Sequence, residues 1–334
     1  MSDTAHPPKK KATRAGNYFI SNYPPFSFWS EEQGTEVLET FERPPTPGTP
    51  LGLYHHIPFC RKRCHFCYFR VYTDKNAQEV ASYLDVLARE WERCARLPAI
   101  TGRRLNFVYF GGGTPSFLST RQLEGLVKRL SAVTSWRDAE EVTFECEPGT
   151  LTRPKLAAIR ALGVTRLSLG IEHFDDHILE LNGRAHRSAE IFRAYDYARS
   201  LEFPQINIDL IAGMLGETDE KWQAAVTQAL KLKPDSVTIY QMELPYNTTI
   251  SSDLLKGTGQ FTTAASWSAK RRWVAEAFET LERAGYTVGS AYTAVKDPTR
   301  TTFVYRDQLW KGADLAGLGV ASFGHLNGVN VQNL

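Results

Sequence analysis

Residues 54–72 read Tyr54-His55-His56-Ile57-Pro58-Phe59-Cys60-Arg61-Lys62-Arg63-Cys64-His65-Phe66-Cys67-Tyr68-Phe69-Arg70-Val71-Tyr72. Three of the chain's five cysteines stand here, Cys60, Cys64 and Cys67, spaced C-x3-C-x2-C. An apolar segment precedes them and a helical pattern follows. Three is an odd number, so they cannot pair off completely as disulfides. Metal binding is the natural use, with each thiol held as a thiolate. Two metals suit the pattern. Structural zinc takes four protein ligands, and His55, His56 or His65 could be the fourth. A four-iron cluster would use the three cysteines and leave one iron open, where a small molecule can be chelated and reduced.

With 334 residues the chain can bury a full core, as one large domain or one with an appendage. Hydrophobic residues make up 42% and the mean hydropathy is −0.33, which is ordinary for a soluble protein. No apolar run reaches the length of a membrane span. Lys9, Lys10 and Lys11 come early with no apolar block after them, so no signal peptide is read and a cytoplasmic address is expected. That address suits reduced thiols and an oxygen-sensitive cluster. With 39 basic and 37 acidic residues the net charge is +2, which gives no electrostatic case for nucleic acid. The lysine triplet reads as a solvated tail.

Residues 1–50 divide into a polar basic tail, an aromatic arm at Asn17 to Trp29, and the stiff linker Pro44-Pro45-Thr46-Pro47-Gly48-Thr49-Pro50. The arm reads as packed on the body or as a lid near the site mouth. Residues 51–260 form the core and 261–334 a C-terminal extension. A helix is expected from about Asn76 to Arg96, burying Val80, Leu84, Leu87, Trp91 and Cys94 along one stripe, so Cys94 is core rather than ligand. Leu105 to Phe110 is a buried strand that stops at Gly111-Gly112-Gly113-Thr114-Pro115. Ser119 and Gln122 make a capping box for the next helix. Strands Glu141–Glu147, Arg166–Glu172, Ile206–Ile211 and Ser236–Met242 then alternate with helices. That alternation means βαβ units, a parallel sheet and right-handed crossovers.

These strands are not apolar throughout. Val142, Phe144 and Cys146 oppose Thr143, Glu145 and Glu147. Leu167, Leu169 and Ile171 oppose Arg166, Ser168, Gly170 and Glu172. Ile206, Ile208 and Leu210 oppose Asn207 and Asp209; Val237 and Ile239 oppose Ser236, Thr238 and Tyr240. The oily faces must meet helices. The polar faces either line an incomplete barrel around a polar ligand or belong to an open sheet with one solvated face.

The cysteine spacing, with Tyr54-x-His56-Ile57-Pro58-Phe59 before it and Phe66 before the third cysteine, resembles the radical S-adenosylmethionine (SAM) superfamily. Within it the stretch looks most like the group of oxygen-independent coproporphyrinogen III oxidase, which includes heme chaperones and radical methyltransferases. The resemblance runs in pieces from about Tyr54 onward. It implies an α/β fold, a partial (β/α)6 TIM-like barrel of the radical SAM type, flanked here by the N-terminal arm and the C-terminal extension. It implies a 4Fe-4S cluster on Cys60, Cys64 and Cys67, and SAM, one molecule or two, in the lumen. By resemblance the turn Gly111, Gly112, Gly113 and Thr114 meets the amino group of SAM, and Glu145, Arg184 and Asp209 lie near it. Glu172 lies where a second SAM would contact the protein. Tyr54 and Phe66 would dry the cluster, with His56 a polar contact beside it. Arg166 reads either as a ligand contact or as a salt-bridge partner of Asp209. The implied chemistry is reductive cleavage of SAM to methionine and a 5′-deoxyadenosyl radical, which takes hydrogen from substrate. An electron donor such as flavodoxin or ferredoxin is implied as a partner.

The match departs in two places. Cys67 is followed by Tyr68-Phe69-Arg70, where the oxidases carry Gly-Cys-Asn, and Glu172 replaces a glutamine. The first departure is closer to the chaperone-like and methyltransferase-like relatives. The segment Trp310 to Val320 resembles one near the substrate in relatives, which continue into a further helical domain. This chain ends at Leu334, so a truncated form is the expectation. The readings are oxidative decarboxylation of a porphyrinogen propionate, radical methyl transfer or cyclopropanation, a heme-binding chaperone, and a zinc-stabilised barrel. No residue is assigned as catalytic.

Overall fold

A computed structural model describes residues 28–256 and 264–333. In chain order its elements are α1 (Gly34–Glu42), β1 (Leu51–Ile57), α2 (Ala77–Cys94), β2 (Leu105–Gly112), α3 (Thr120–Val133), β3 (Glu141–Cys146), α4 (Arg153–Ala161), β4 (Arg166–Glu172), α5 (Asp176–Leu181), α6 (Ser188–Ser200) and β5 (Gln205–Ala212). They continue with α7 (Asp219–Leu232), β6 (Ser236–Gln241), α8 (Thr249–Lys256), α9 (Trp267–Arg283), β7 (Thr287–Val288), β8 (Thr293–Val295), α10 (Val304–Trp310), β9 (Asp314–Leu318), β10 (Phe323–Leu326) and β11 (Val329–Gln332). Short 3-10 turns follow the ends of β2 and β3.

The sheet runs β11-β10-β9-β1-β2-β3-β4-β5-β6-β8-β7. Strands β1 to β6 are parallel neighbours in sequence order, and β9 adds to the free side of β1 in the same direction. The flanking strands are antiparallel. The sheet does not close on itself, so the architecture is a partial TIM-like barrel. The helices start where the sequence signals them. Asn76 caps α2 and Ser119 caps α3, each in a reciprocal capping box with Glu79 and Gln122. Such caps contribute about 1 kcal/mol each. The stripe Val80, Leu84, Leu87 and Trp91 is buried, and Cys94 packs half-buried against the same core.

Strand parity holds. The outward residues of β3 to β6 join one core with Leu123, Leu130, Leu156, Ile191 and Trp222 from the helices. Fully burying each such aliphatic side chain stabilises the fold by roughly 1.5–3 kcal/mol. The inward polar residues are buried too: Thr143, Arg166, Ser168, Asn207, Ser236 and Thr238 are each at most 5% exposed. A sheet with one solvated face is therefore excluded. Asn207 knits the inner face together. Its Oδ1 accepts from Ser236 (2.8 Å) and Thr238 (3.0 Å), and its Nδ2 donates to Ser168 Oγ and to the Asp209 carboxylate (2.9 Å each).

The late part of the chain is built into the same sheet. Helix α9 packs on β5, β6 and β8. The start of α10 covers the N-terminal ends of the strands: the amides of Val304 and Tyr305 donate to the Glu141 carboxylate (3.0 and 3.2 Å), and the Tyr305 ring lies 4.4 Å from that of Tyr109. Asp314 of β9 accepts from Arg103 at 2.7 Å, and Arg103 also donates to the carbonyls of Thr49 and Ala99. The proline-rich linker is preceded by α1, whose Thr40 carbonyl, with that of Arg43 just past its end, accepts from Asn327. Of the aromatic arm, Phe28 and Trp29 are described, with Trp29 edge-on to Phe323 at 5.8 Å. The remainder of the arm, the lysine tail and the 260/261 boundary lie outside the described residues.

Candidate functional site

The cysteine loop leaves the C-terminal end of β1 and is tied at its neck. Cys60 N donates to Tyr72 O (3.0 Å), and Tyr72 N to Pro58 O (2.8 Å). His65 docks the far side: its backbone N–H donates to Asn182 O, and Nδ1 lies 3.0 Å from Leu181 O. Arg61 forks onto the Glu147 carboxylate with Nε and Nη2, each at 3.1 Å. Glu147 also accepts from His186 Nδ1 (2.9 Å) and Gly149 N (3.0 Å). Burial pushes the Glu147 carboxyl up, but the His186 hydrogen bond and charge, with Arg184 and Arg61, outweigh it and hold the group at about 2.

Cys60, Cys64 and Cys67 all line one cavity of about 490 Å³, within the usual range for small-molecule sites. Thr114 Oγ1 donates to Cys60 Sγ and Arg184 Nη1 to Cys64 Sγ, both at 3.3 Å. Burial pushes the Cys60 thiol up to about 11 and raises that of Cys67, so a metal must displace protons to bind. The histidines considered as a fourth zinc ligand point elsewhere. His55 faces outward, stacked on Phe110 at 4.5 Å, and burial lowers its pKa to about 3. His56 packs behind the glycine turn, and His65 faces the α5 carbonyl. Three thiols on a shared wall, two of them receiving hydrogen bonds at sulfur, fit an iron–sulfur cluster better than a zinc ion.

The turn after β2 presses against this loop. Gly112 has φ +111°, and a Cβ there would meet the His56 ring at 2.8 Å. At Gly113 a Cβ would come within 3.1 Å of Cys60 Sγ and 2.9 Å of the Pro58 carbonyl carbon. Only glycine lets the backbone approach the loop this closely. Gly112 N donates to Glu145 Oε2 (3.2 Å), and Tyr109 OH to Oε1 (2.7 Å).

Below the turn the cavity is strongly charged. Burial raises the Glu145 carboxyl to about 7, against the Tyr109 hydrogen bond. Glu172, held at φ +67° by a register shift in β4, is also raised to about 7 by burial, against Arg184 at 3.6 Å. Asp209 accepts from Ser168 (3.0 Å) and Asn207 rather than from Arg166, so the salt bridge considered between Arg166 and Asp209 does not form. The Arg166 guanidinium instead lies 4.0 Å over the Phe303 ring, and its Nε and Nη1 meet no hydrogen-bond partner among the described residues.

Of the residues singled out from sequence, Cys60, Cys64, Cys67, Phe66, Gly112, Gly113, Thr114, Glu145, Glu172, Arg184 and Asp209 line the cavity. Tyr54, His56 and Gly111 do not. Tyr54 stacks on Tyr109 at 5.8 Å and its hydroxyl lies 3.2 Å from His56 Nδ1, so the two brace the turn from behind. Sequence reasoning missed the Arg61–Glu147–His186 anchor and the cavity residues Tyr240, Tyr292 and Phe303. Glu147 and Tyr240 stood on the polar faces by parity, which was the available signal.

The family model of the Radical SAM superfamily matches residues 54–229. The oxygen-independent coproporphyrinogen III oxidase of Escherichia coli (strain K12) is 32% identical over 221 residues, 66% of this chain and 48% of that protein. The heme chaperone HemW of Bacillus subtilis (strain 168) is 34% identical over 206 residues, 61% of this chain and 53% of that one. The solved structure of coproporphyrinogen III oxidase (HemN) from Escherichia coli superposes with a TM-score of 0.81 at 28% identity, covering 95% of this chain and 73% of that one. The chain spans about half the length of the curated relatives it matches.

Proposed function

The chain belongs to the radical SAM superfamily, whose members use a 4Fe-4S cluster and SAM, and from that premise we propose that it is an enzyme of the coproporphyrinogen III oxidase-like group acting on a tetrapyrrole. The reaction proposed is hydrogen abstraction from a porphyrinogen propionate, leading to oxidative decarboxylation. Cys60, Cys64 and Cys67 would hold the cluster. When bound, cluster and SAM together supply a 5′-deoxyadenosyl radical. The chain's own residues position and shield. The backbone of Gly112 and Gly113 gives close access beside Cys60. Glu145, already holding Tyr109 and the Gly112 amide, accepts from an ammonium group. Arg184 donates to Cys64 sulfur while its charge is balanced by Glu172. Buried Arg166 and Asp209 set the polarity of the floor. Phe66 packs with Ile211, Met214 and Met242 and keeps water from the loop.

The observation that carries this reading is the three-cysteine loop pressed on a side-chain-free turn, at the head of a buried, charged cavity. Anaerobic reconstitution followed by iron and sulfide analysis, then incubation with dithionite, SAM and coproporphyrinogen III, tests it. Four irons per chain, 5′-deoxyadenosine and released carbon dioxide are expected. A protein that carries zinc alone, or forms no 5′-deoxyadenosine, overturns it. A second reading, a heme-binding chaperone, is favoured by Cys67-Tyr68-Phe69 departing from the oxidase pattern. Stable heme binding without substrate turnover would select it.

A further inference from the structure

We propose that the mouth of this cavity holds a ligand built of aromatic rings with peripheral carboxylates, gripped between two aromatic pairs, Tyr68 with Phe69 and Tyr240 with Tyr292. This deepens the proposed function, and rests on it for the choice of a tetrapyrrole as the ligand.

Large aromatic side chains normally bury their area. Here Tyr68, Phe69, Tyr240 and Tyr292 remain 39%, 50%, 43% and 37% exposed, and all four stand on the wall of the same cavity. They form two ring pairs from distant parts of the chain. Tyr68 and Phe69, directly after the last cluster cysteine, lie 4.5 Å apart with 31° between planes. Tyr240 of β6 and Tyr292 before β8 lie 6.0 Å apart with 32° between planes. Exposed apolar surface gathered in a concavity marks a ligand site. Each ring offers a face to another ring, which suits pyrrole units.

The charges sort by depth. Glu145, Asp209 and Glu172 lie in the lumen and suit the cationic ends of SAM. Lys62 lines the mouth, is exposed and makes no ion pair among the described residues. Arg63 beside it donates to the Cys67 carbonyl at 3.0 Å, which keeps its charge at the rim. Glu243 is the opposing charge there, near Tyr68. A carboxylate on the ring periphery therefore meets Lys62, while the ring covers the opening and keeps water from the cluster loop.

The test uses the reconstituted full chain and coproporphyrin III as the probe, followed by fluorescence quenching. Phe69→Ala and Tyr292→Ala should each weaken porphyrin binding about tenfold, as removal of a stacking ring does in other sites. Phe69→Trp should retain it. Lys62→Glu should weaken it, with the loss shrinking at high salt. The SAM dissociation constant and iron content should not change in any of them, which also shows that the variants fold. A parent protein that takes no porphyrin overturns the inference. So do alanine variants that bind like the parent, or losses that fall on SAM instead, since the rings would then serve its adenine. Absence of iron or of 5′-deoxyadenosine overturns the proposed function alone and leaves the porphyrin titration standing.

Discussion

Replacing Glu147 by glutamine should loosen the loop that carries the cysteines. The carboxylate ties Arg61 in that loop to His186 and the Gly149 amide, and it is only 10% exposed. Its pKa near 2, against 4.5 for a free carboxyl, sets a ceiling of about 3 kcal/mol on its contribution at neutral pH, where burial leaves the His186 ring uncharged and the arginines carry the charge pairing. Because the pKa is depressed, this stabilisation is complete above about 4.5 and is lost as the pH falls toward about 2. Glutamine keeps the shape and loses the charge. Urea unfolding of the metal-free, reduced protein should therefore show Glu147→Gln less stable by up to about 3 kcal/mol at pH 7.5. The gap should narrow as the pH is lowered from about 5 to about 3. Reconstituted Glu147→Gln should also lose iron faster to a chelator, since Arg61 no longer fixes the loop. An unchanged urea midpoint at pH 7.5, or a deficit that stays constant into acid, would refute the electrostatic account of this anchor.

Gly113→Ala should cost about 1–3 kcal/mol by overpacking, because the nearest atoms are backbone and cannot yield; thermal unfolding and iron uptake would both fall. Cys60→Ala, Cys64→Ala and Cys67→Ala should each abolish a stable cluster, read as iron and sulfide content, while Cys94→Ala leaves it intact because Cys94, at the end of α2, packs against the hydrophobic core. Glu145 and Glu172, both raised to about 7, are neutral below that pH and charged above it, so SAM should bind more tightly at pH 8 than at pH 6; equilibrium dialysis checks it, and Glu145→Gln should flatten the dependence. Asp314→Ala removes the carboxylate partner of the half-buried Arg103, leaving it only the Thr49 and Ala99 carbonyls, and should cost about 3 kcal/mol, with hydrogen exchange rising first in β9 to β11.

Local signals in the sequence carried most of the core. The period-two switch in β3 to β6 was enough to say which residues face inward, and the capping boxes at Asn76 and Ser119 fall where helices begin. The same parity separates His55 from His56. Leu53 and Ile57 point outward with His55, so His55 could have been set aside as a ligand from the strand pattern alone. Features that depend on distant partners were not legible. Nothing near Asp314 signals that β9 joins β1, because that pairing is fixed by Arg103 and by the free edge of the first strand. Helix α1 was hidden beside a proline-rich run, and it is held by Asn327 from far along the chain. The unpartnered donors of Arg166 follow from Phe303 occupying the floor, a contact no local pattern encodes.

The first strand of the sheet has one of its last strands as a neighbour. A ribosome therefore releases the cysteine-bearing loop long before the wall beside it exists. Until β9 emerges, one flank of β1 stays bare and the thiols sit on an unfinished frame. Assembly of the metal centre should accordingly follow completion of the chain, and nascent chains stalled before residue 314 should fail to retain iron where released chains succeed.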